Sequence, residues 1–412
     1  MLGLWAYLTG KSSARSNWIE LSSCNSTLCL KMPAALITLD GLRRYAVART
    51  LFAPATLPNA IKRLGFVQAD PIRAPARAQD LTLRHRVKGY RAGDLERRYA
   101  ALGVEEDFFV NYGFLPRATQ ALMHPRTPRV AWPAAKALMA QAVLAYVQAR
   151  GVVHPREVDA HFAHGRAANW FGGTSSVSTQ LLDGMHYRGM LRIAGRVSGV
   201  RTYAAVAVAA QSGGDQQLAS TQVNGTQVNE TQLNPVQAID ALIDVIVHKY
   251  APLPEASLRQ LLGLLRGGVP QWDALRPAAF ARTKQRLASA MVDGVTWYWP
   301  QGQSPMSTRH APTDMVRLLA PFDPVVWNRR RFELLWGWAY RFEAYTPAPK
   351  RVRGYYALPL LWRDQVIGWG NISIADGKLS ADLGYVAGKP PRNVGFRQAL
   401  DNELQHMKAF LL

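Results

Sequence analysis

The segment from His154 to Val206 limits the fold more than any other stretch of the chain. Pro155 to Phe162 reads as a helix, because proline is tolerated in a helix's first turn, where its missing N–H would be unbonded anyway. Gly172-Gly173 interrupts the chain, Thr174 to Arg188 has helical spacing, and Gly189 ends it. Met190 to Ala194 and Val200 to Ala205 are apolar-rich runs on either side of Gly195-Arg196-Val197-Ser198-Gly199, the pattern of a β-hairpin. Helix, helix, hairpin is the order of a winged helix, the helix-turn-helix variant whose second helix enters a groove of DNA. Arg192, Arg196 and Arg201 fall in or beside the expected wing. A winged helix can also be purely structural, so the order alone leaves contact with DNA open.

A similar spacing follows further on. Val236 to Tyr250, Pro254 to Leu265 and Pro277 to Met291 read as helices, and Gly294 to Pro300 as a strand leading into a wing. Between the two segments, Gln211 to Asn234 is low in complexity. It ends in the pentads Ser-Thr-Gln-Val-Asn, Gly-Thr-Gln-Val-Asn and Glu-Thr-Gln-Leu-Asn, which lack apolar mass for a core and read as a flexible linker. Upstream, Thr38-Leu39-Asp40 opens a helix, Ala60 to Leu64 forms a second, and Gly65 to Pro71 is a brief extended segment. Pro71 pushes Asp70 out of helical backbone. After His310 the texture turns to β, with runs at Phe332 to Trp338, Tyr340 to Tyr345, Gly354 to Leu361 and Val366 to Ile374, then a helix from Val394 to Leu411.

The expected fold is therefore α+β: tandem winged-helix modules followed by a small C-terminal β-barrel. The expected boundaries are a disordered extension over 1–31, a first winged-helix region over 32–150, and a second over 151–210. A linker over 211–234, a third winged helix over 235–310 and the barrel with its terminal helix over 311–412 complete the chain. The first 31 residues are polar and Ser-rich, and their basic residues Lys11 and Arg15 follow the short apolar patch rather than precede it, unlike a signal peptide. An upstream extension or misassigned start is expected, with Met32 as the candidate true beginning and the folded chain starting near Leu36.

Charge narrows the partner. Forty-nine Lys and Arg stand against 28 Asp and Glu, a net charge of +21 in 412 residues. Such an excess points to a polyanion, most simply nucleic acid. An anionic membrane surface is the other candidate, but no apolar stretch reaches the roughly 18 residues of a spanning helix. The basic residues cluster: between Arg73 and Arg98 there are eight Lys or Arg against three acids, interleaved with Tyr90 and Tyr99. Phosphate contacts from such a cluster would make binding fall steeply with salt, although a solvated helix face has the same composition. Cys24 and Cys29 are too far apart for a CxxC pair and too few for a zinc site, so free thiols in a reducing cytoplasm are expected. His154, His161 and His164 are near neighbours without a metal-binding pattern. The chain also lacks a P-loop, a GxSxG elbow and a dinucleotide fingerprint. Neither metal nor cofactor is expected.

Gly65-Phe66-Val67-Gln68-Ala69-Asp70-Pro71-Ile72-Arg73, with Ala76 to Leu81 after it, resembles the signature of the AlkZ/YcaQ-type winged-helix DNA glycosylases. The block Ala320-Pro321-Phe322-Asp323-Pro324-Val325-Val326-Trp327-Asn328-Arg329-Arg330-Arg331 resembles a later block of that family. So do Tyr345-Thr346-Pro347-Ala348-Pro349-Lys350-Arg351 and Gly354 to Pro359. The resemblance runs from about Leu36 to Ile374. It implies tandem winged helices with a C-terminal β-barrel, and hydrolysis of the N-glycosidic bond of alkylated purines, including the unhooking of interstrand crosslinks. It also implies that Gln68 and Asp70 carry the catalytic motif, in the Asp-bearing, YcaQ-like branch. One departure lies near Gly368, where the family pattern has an acid, a base and a final arginine and this chain has the softer Gly368-Trp369-Gly370-Asn371-Ile372-Ser373-Ile374-Ala375-Asp376-Gly377-Lys378.

The residue types suit that chemistry. An N7-alkylguanine is cationic and already a good leaving group, so what helps is an activated water and negative charge near a developing oxocarbenium ion. Asp70 can supply both. Gln68 cannot take a proton at neutral pH, but its amide can orient the water or the sugar. One residue apart on an extended segment, the two face the same side. An Asp before Pro can also simply cap the next element, which is the alternative for Asp70 taken alone. A crosslinked base cannot swing out by about 180°, so an enzyme for such lesions needs an open channel rather than a closed pocket. The residues expected to grip DNA are Arg73, Arg77, Arg84, Arg86, Arg192, Arg196, Arg201, Arg329, Arg330 and Arg331. The expected partner is double-stranded DNA with alkylated or crosslinked purines, met by a monofunctional, monomeric, cytoplasmic or nucleoid-associated enzyme. The competing reading is a non-enzymatic winged-helix DNA-binding regulator or architectural protein.

Overall fold

The computed structural model describes residues 36–168, 173–206 and 233–412. The expected extension over 1–31 and most of the expected linker lie outside these residues. Ile37 to Leu412 form one compact unit.

The chain begins with α1 (Leu39–Thr50) and α2 (Leu57–Leu64). Thr38 caps α1 by accepting the amide of Gly41 at 3.1 Å, and Gly65 ends α2 at φ 68°. The two-residue strand β1 (Val67–Gln68) follows, then α3 (Ala78–Leu83) and α4 (Asp94–Arg98). The hairpin β2 (Val104–Phe108) and β3 (Tyr112–Pro116) leads to α5 (Arg117–Ala121). The next unit runs α6 (Ala134–Arg150), β4 (Val152–Val153), α7 (Pro155–Phe162), a short pair β5 (Arg166–Ala168) and β6 (Thr174–Ser176), α8 (Val177–Tyr187), β7 (Leu191–Val197) and β8 (Val200–Ala205). A third unit runs α9 (Pro235–Tyr250), β9 (Leu253–Pro254), α10 (Glu255–Gly268), α11 (Arg276–Arg286), β10 (Leu287–Val292) and β11 (Val295–Pro300).

These three units share one topology. Each has a two-residue strand that pairs with the second arm of a later hairpin, giving the strand orders β1-β3-β2, β4-β8-β7 and β9-β11-β10. In the second and third units the helix follows that short strand almost at once, at Pro155 and Glu255. In the first, residues 69–77 intervene before α3.

The C-terminal part holds β12 (Val316–Leu318), α12 (Arg329–Trp336), β13 (Leu358–Trp362), β14 (Gln365–Ala375), β15 (Lys378–Tyr385) and α13 (Val394–Leu411). Its sheet, β12-β13-β14-β15, is antiparallel and its outer strands do not pair with each other, so the small barrel expected is present as an open half-barrel. Other expectations need correction. Phe332 to Trp338 is not a strand but the end of α12. Asn328 caps that helix by accepting the Arg331 amide at 2.9 Å, and Gly337 stops it at φ 74°. Tyr340 to Tyr345 is irregular, Thr174 to Ser176 is a strand before α8, and the expected helix through Met291 gives way to β10 at Leu287.

The first unit is the hub of the core. Its Leu81, Tyr99 and Phe114 pack with the second unit and the C-terminal sheet. Its Leu42, Tyr45 and Phe66 pack with the third unit, and Val47 and Leu51 meet Leu319, Val325 and Phe332. A buried ion pair fastens this hub to the C-terminal part. Arg86, fully buried, meets Asp323 through two bonds, Nη1 to Oδ2 at 2.7 Å and Nη2 to Oδ1 at 3.0 Å. Its Nε donates to the carbonyl of Thr50 at 2.7 Å, so the guanidinium keeps partners where water is absent.

Candidate active site

Gln68 ends β1 opposite Gly113 of β3, and the amide of Ala69 continues the ladder to the carbonyl of Tyr112 at 3.0 Å. No side chain larger than glycine's would fit at 113, since a Cβ there would stand 2.3 Å from the carbonyl oxygen of Val67. Beyond Ala69 the backbone turns at Pro71. Asp70 Oδ1 accepts the amide of Ile72 at 2.9 Å, and the amide of Asp70 donates to Gln79 Oε1 of α3 at 3.2 Å. The expectation that Gln68 and Asp70 face one side fits what surrounds them: both line a cleft of about 620 Å³. Its other walls include Arg77, Glu106, Tyr112, Arg196, Phe342 and Tyr345.

Asp70 differs from an ordinary surface carboxylate. Half-burial pushes its carboxyl up from the usual 3.8, and the Ile72 amide opposes this only in part. No cation stands within ion-pair distance among the described residues, and Oδ2 has no protein partner. Such a carboxylate is a stronger base than an exposed one. Gln68 is buried, at 6% exposure, and its Oε1 accepts the indole N–H of Trp327 at 2.6 Å. An indole nitrogen only donates, which fixes the amide with its NH₂ turned away from Trp327. Trp327 is itself set by the turn at Asp323, whose carbonyl accepts the Trp327 amide at 2.8 Å. Sequence reasoning quoted Trp327 and Tyr345 inside motifs but assigned neither to the site.

Aromatic faces form the far wall. Phe342 lies 5.2 Å from Phe322, 5.2 Å from Tyr356 and 6.0 Å from Tyr345, in edge-to-face arrangements. Tyr345 is 78% exposed at the rim, whereas Tyr356 is buried with no partner for its hydroxyl. The charge of Asp70 adds to burial in raising Tyr356.

The arginines expected to hold DNA are dispersed. Arg86 and Arg331 are fully buried, and a guanidinium without exposed surface cannot meet a phosphate: both expectations are corrected. Arg331 donates instead to the carbonyls of Pro252, Pro324 and Val325, and burial pulls it down to about 10. Arg84 is likewise inside, with its side chain 3% exposed. It pairs with Glu403 of α13 and donates to the carbonyl of Leu318 at 3.0 Å. Arg329 lies half-buried 4.5 Å over the Tyr340 ring. The arginines of the β7–β8 hairpin, expected in a wing, turn inward onto acids of β2: Arg192 to Glu105 at 2.8 Å, Arg201 to Glu106 at 3.1 Å, and Arg196 to Glu106. Arg77 pairs with Glu96. Arg73 and Arg330 are exposed and form no ion pair among the described residues.

Comparison with known proteins agrees with this geometry. The family model described as DNA glycosylase AlkZ-like matches residues 61–410. The chain belongs to the AlkZ-like DNA glycosylase family; it is a DNA N-glycosylase, and DNA is its partner. A solved structure, the Streptomyces sahachiroi DNA glycosylase AlkZ, shares its fold with a TM-score of 0.55. The two are 14% identical, over 91% of this chain and 96% of that one. No helix among the described residues is long and apolar enough to cross a membrane.

Proposed function

We propose that the chain hydrolyses the N-glycosidic bond of cationic N7-alkylated purines in duplex DNA and unhooks interstrand crosslinks by the same chemistry. Asp70 draws the proton from a water at the anomeric carbon and stabilises the developing oxocarbenium ion; Gln68 donates from its amide NH₂ to that water or to the sugar. The observation that carries this reading is Asp70 itself: a carboxylate raised by burial, free at Oδ2, and sharing a cleft with an amide of fixed orientation. The aromatic wall of Phe322, Phe342 and Tyr345 supports a cationic base as substrate, since ring faces attract positive charge. Openness to solvent at the exposed Tyr345 suits a base that a crosslink keeps from leaving the duplex.

In this reading the three units of common topology are winged helices, spanning 32–150, 151–210 and 235–310. The half-barrel over 311–412 closes the cleft's far side, and the enzyme acts as a monofunctional monomer. The test is incubation of 7-methylguanine and crosslinked duplexes with the wild-type protein and Asp70→Asn, scored as alkali-labile sites. We expect base release to fall by about 10²–10⁴-fold, the usual value of a general base, with DNA affinity retained. Unchanged release by Asp70→Asn would refute the assignment.

A further inference from the structure

The inward turn of the wing arginines raises the question of what holds the DNA backbone beside the cleft. The loop from Arg341 to Tyr356, between α12 and β13, has the missing properties. It carries Arg341, Lys350, Arg351 and Arg353, and none of them forms an ion pair among the described residues. Its single acid, Glu343, is buried and turned away from them: Oε2 accepts the amides of Val352 and Arg353 at 3.0 and 2.8 Å. The carboxylate thus shapes the loop from within and leaves Arg341 and Lys350 exposed and Arg351 half-buried, each without an ion-pair partner among the described residues.

The loop is also rigidly mounted. Arg353 lies against two neighbouring indoles, 5.2 Å from the Trp338 ring and 5.5 Å from the Trp369 ring. Its carbonyl accepts Asn371 Nδ2 of β14 at 2.8 Å. Gly354, at φ 115°, lies so close to that amide that a Cβ would stand 2.3 Å from Asn371 Oδ1. Trp369 and Asn371 lie in the stretch of β14 that departs from the family's charged pattern, and here they buttress this loop. Arg351 Nε donates to the carbonyl of Thr346 at 2.8 Å, which ties its guanidinium to the neighbour of Tyr345. Arg341 directly precedes Phe342. Two of the cations are thus tied, by the chain or by a hydrogen bond, to residues next to Phe342 and Tyr345 of the cleft lining, and Lys350 adjoins one of them.

We infer that this loop is the phosphate grip of the enzyme: Arg341, Lys350 and Arg351 hold the duplex backbone beside the cleft, while the wing arginines serve the fold. The occupant is fixed by charge complementarity, since a row of cations without counter-ions fits a row of phosphates, and by continuity with the cleft through Phe342 and Tyr345. The inference rests on DNA being the partner and not on the chemistry of Asp70.

The test uses the full chain and an undamaged duplex, so that failure of the proposed catalysis leaves it intact. Binding is followed by fluorescence anisotropy over a salt series for the wild type, Lys350→Ala, Arg351→Ala, the double variant and Arg192→Gln. Each phosphate contact contributes about 0.9 to the slope of log K against log salt on B-form DNA. We expect each single loop variant to lower the slope by about 0.9 and the double by about twice that, whereas Arg192→Gln, whose charge Glu105 already answers, leaves it unchanged. Circular dichroism melts check that the variants fold. A wild-type slope in the double variant, or a larger drop in Arg192→Gln than in the loop variants, would overturn the inference.

Discussion

Trp327 donates its indole N–H to Gln68 Oε1 at 2.6 Å, joining a block of the chain's C-terminal part to the strand that carries the candidate catalytic motif. The bond does more than fill space. It settles which end of the amide can serve the cleft, and it brings the turn held by the Arg86–Asp323 pair into register with the site.

Trp327→Phe keeps the ring and removes the donor. Leaving a buried acceptor unpaired costs about 1–3 kcal/mol, and about 1.4 kcal/mol is tenfold in rate. Single-turnover base excision should slow by about 10- to 100-fold, with the Kd for undamaged duplex unchanged. A full wild-type rate would show that Gln68 does not need its orientation fixed.

The pH profile follows from the direction of the Asp70 shift. Burial favours the protonated carboxyl, so the basic form is lost at a higher pH than in a free aspartate, whose ordinary value is 3.8. Activity should be full at neutral pH and fall as the solution is acidified, with the limb of log kcat/KM lying above 3.8. Measurement on a 7-methylguanine duplex between pH 4 and 8 checks this; a limb at or below the ordinary value would contradict the environment described.

Arg86→Met leaves Asp323 buried and unpaired. Removing one member of a buried pair costs about 3–5 kcal/mol, read as a lower urea midpoint. Replacing both, as Arg86→Met with Asp323→Leu, should cost less than the sum of the two single changes, because neither charge is then stranded.

Gly113→Ala forces a methyl against the Val67 carbonyl and the Phe66 ring. Overpacking of this kind costs about 1–3 kcal/mol. Because the strain falls on β1, excision should drop by more than the loss of folded protein accounts for, which an active-site titration against the melting curve will separate.

Much of the fold was legible because its signals are local. Pro155 at a first turn and the apolar spacing of Val394 to Leu411 mark helices whose observed bounds match the sequence reading. The hairpin of β2 and β3 was not legible. Val104-Glu105-Glu106-Asp107-Phe108 carries three acids in a row, yet all three are buried, because cations from other elements reach them. Asp107 illustrates this: burial alone would push its carboxyl up, but the hydrogen bond from His124 at 2.6 Å and the charge of Arg126 hold it far below the usual range. Gln68-Ala69-Asp70 could be found only through its resemblance to a family signature, since by residue type and spacing alone an Asp before Pro also reads as a cap. The fate of the arginines could not, since a guanidinium bound for the interior and one bound for a phosphate look alike in a sequence.

The threefold recurrence of a short strand docked on a later hairpin has a consequence for how this enzyme could change. In two copies the polypeptide passes from that strand straight into a helix; in the first copy residues 69–77, Asp70 among them, fill the junction. A tether of this kind can be rewritten while all three sheets keep their pairing. Chimeras exchanging only 69–77 between relatives should therefore keep the recipient's melting curve and aromatic wall while taking on the donor's residue at position 70 and its pH profile.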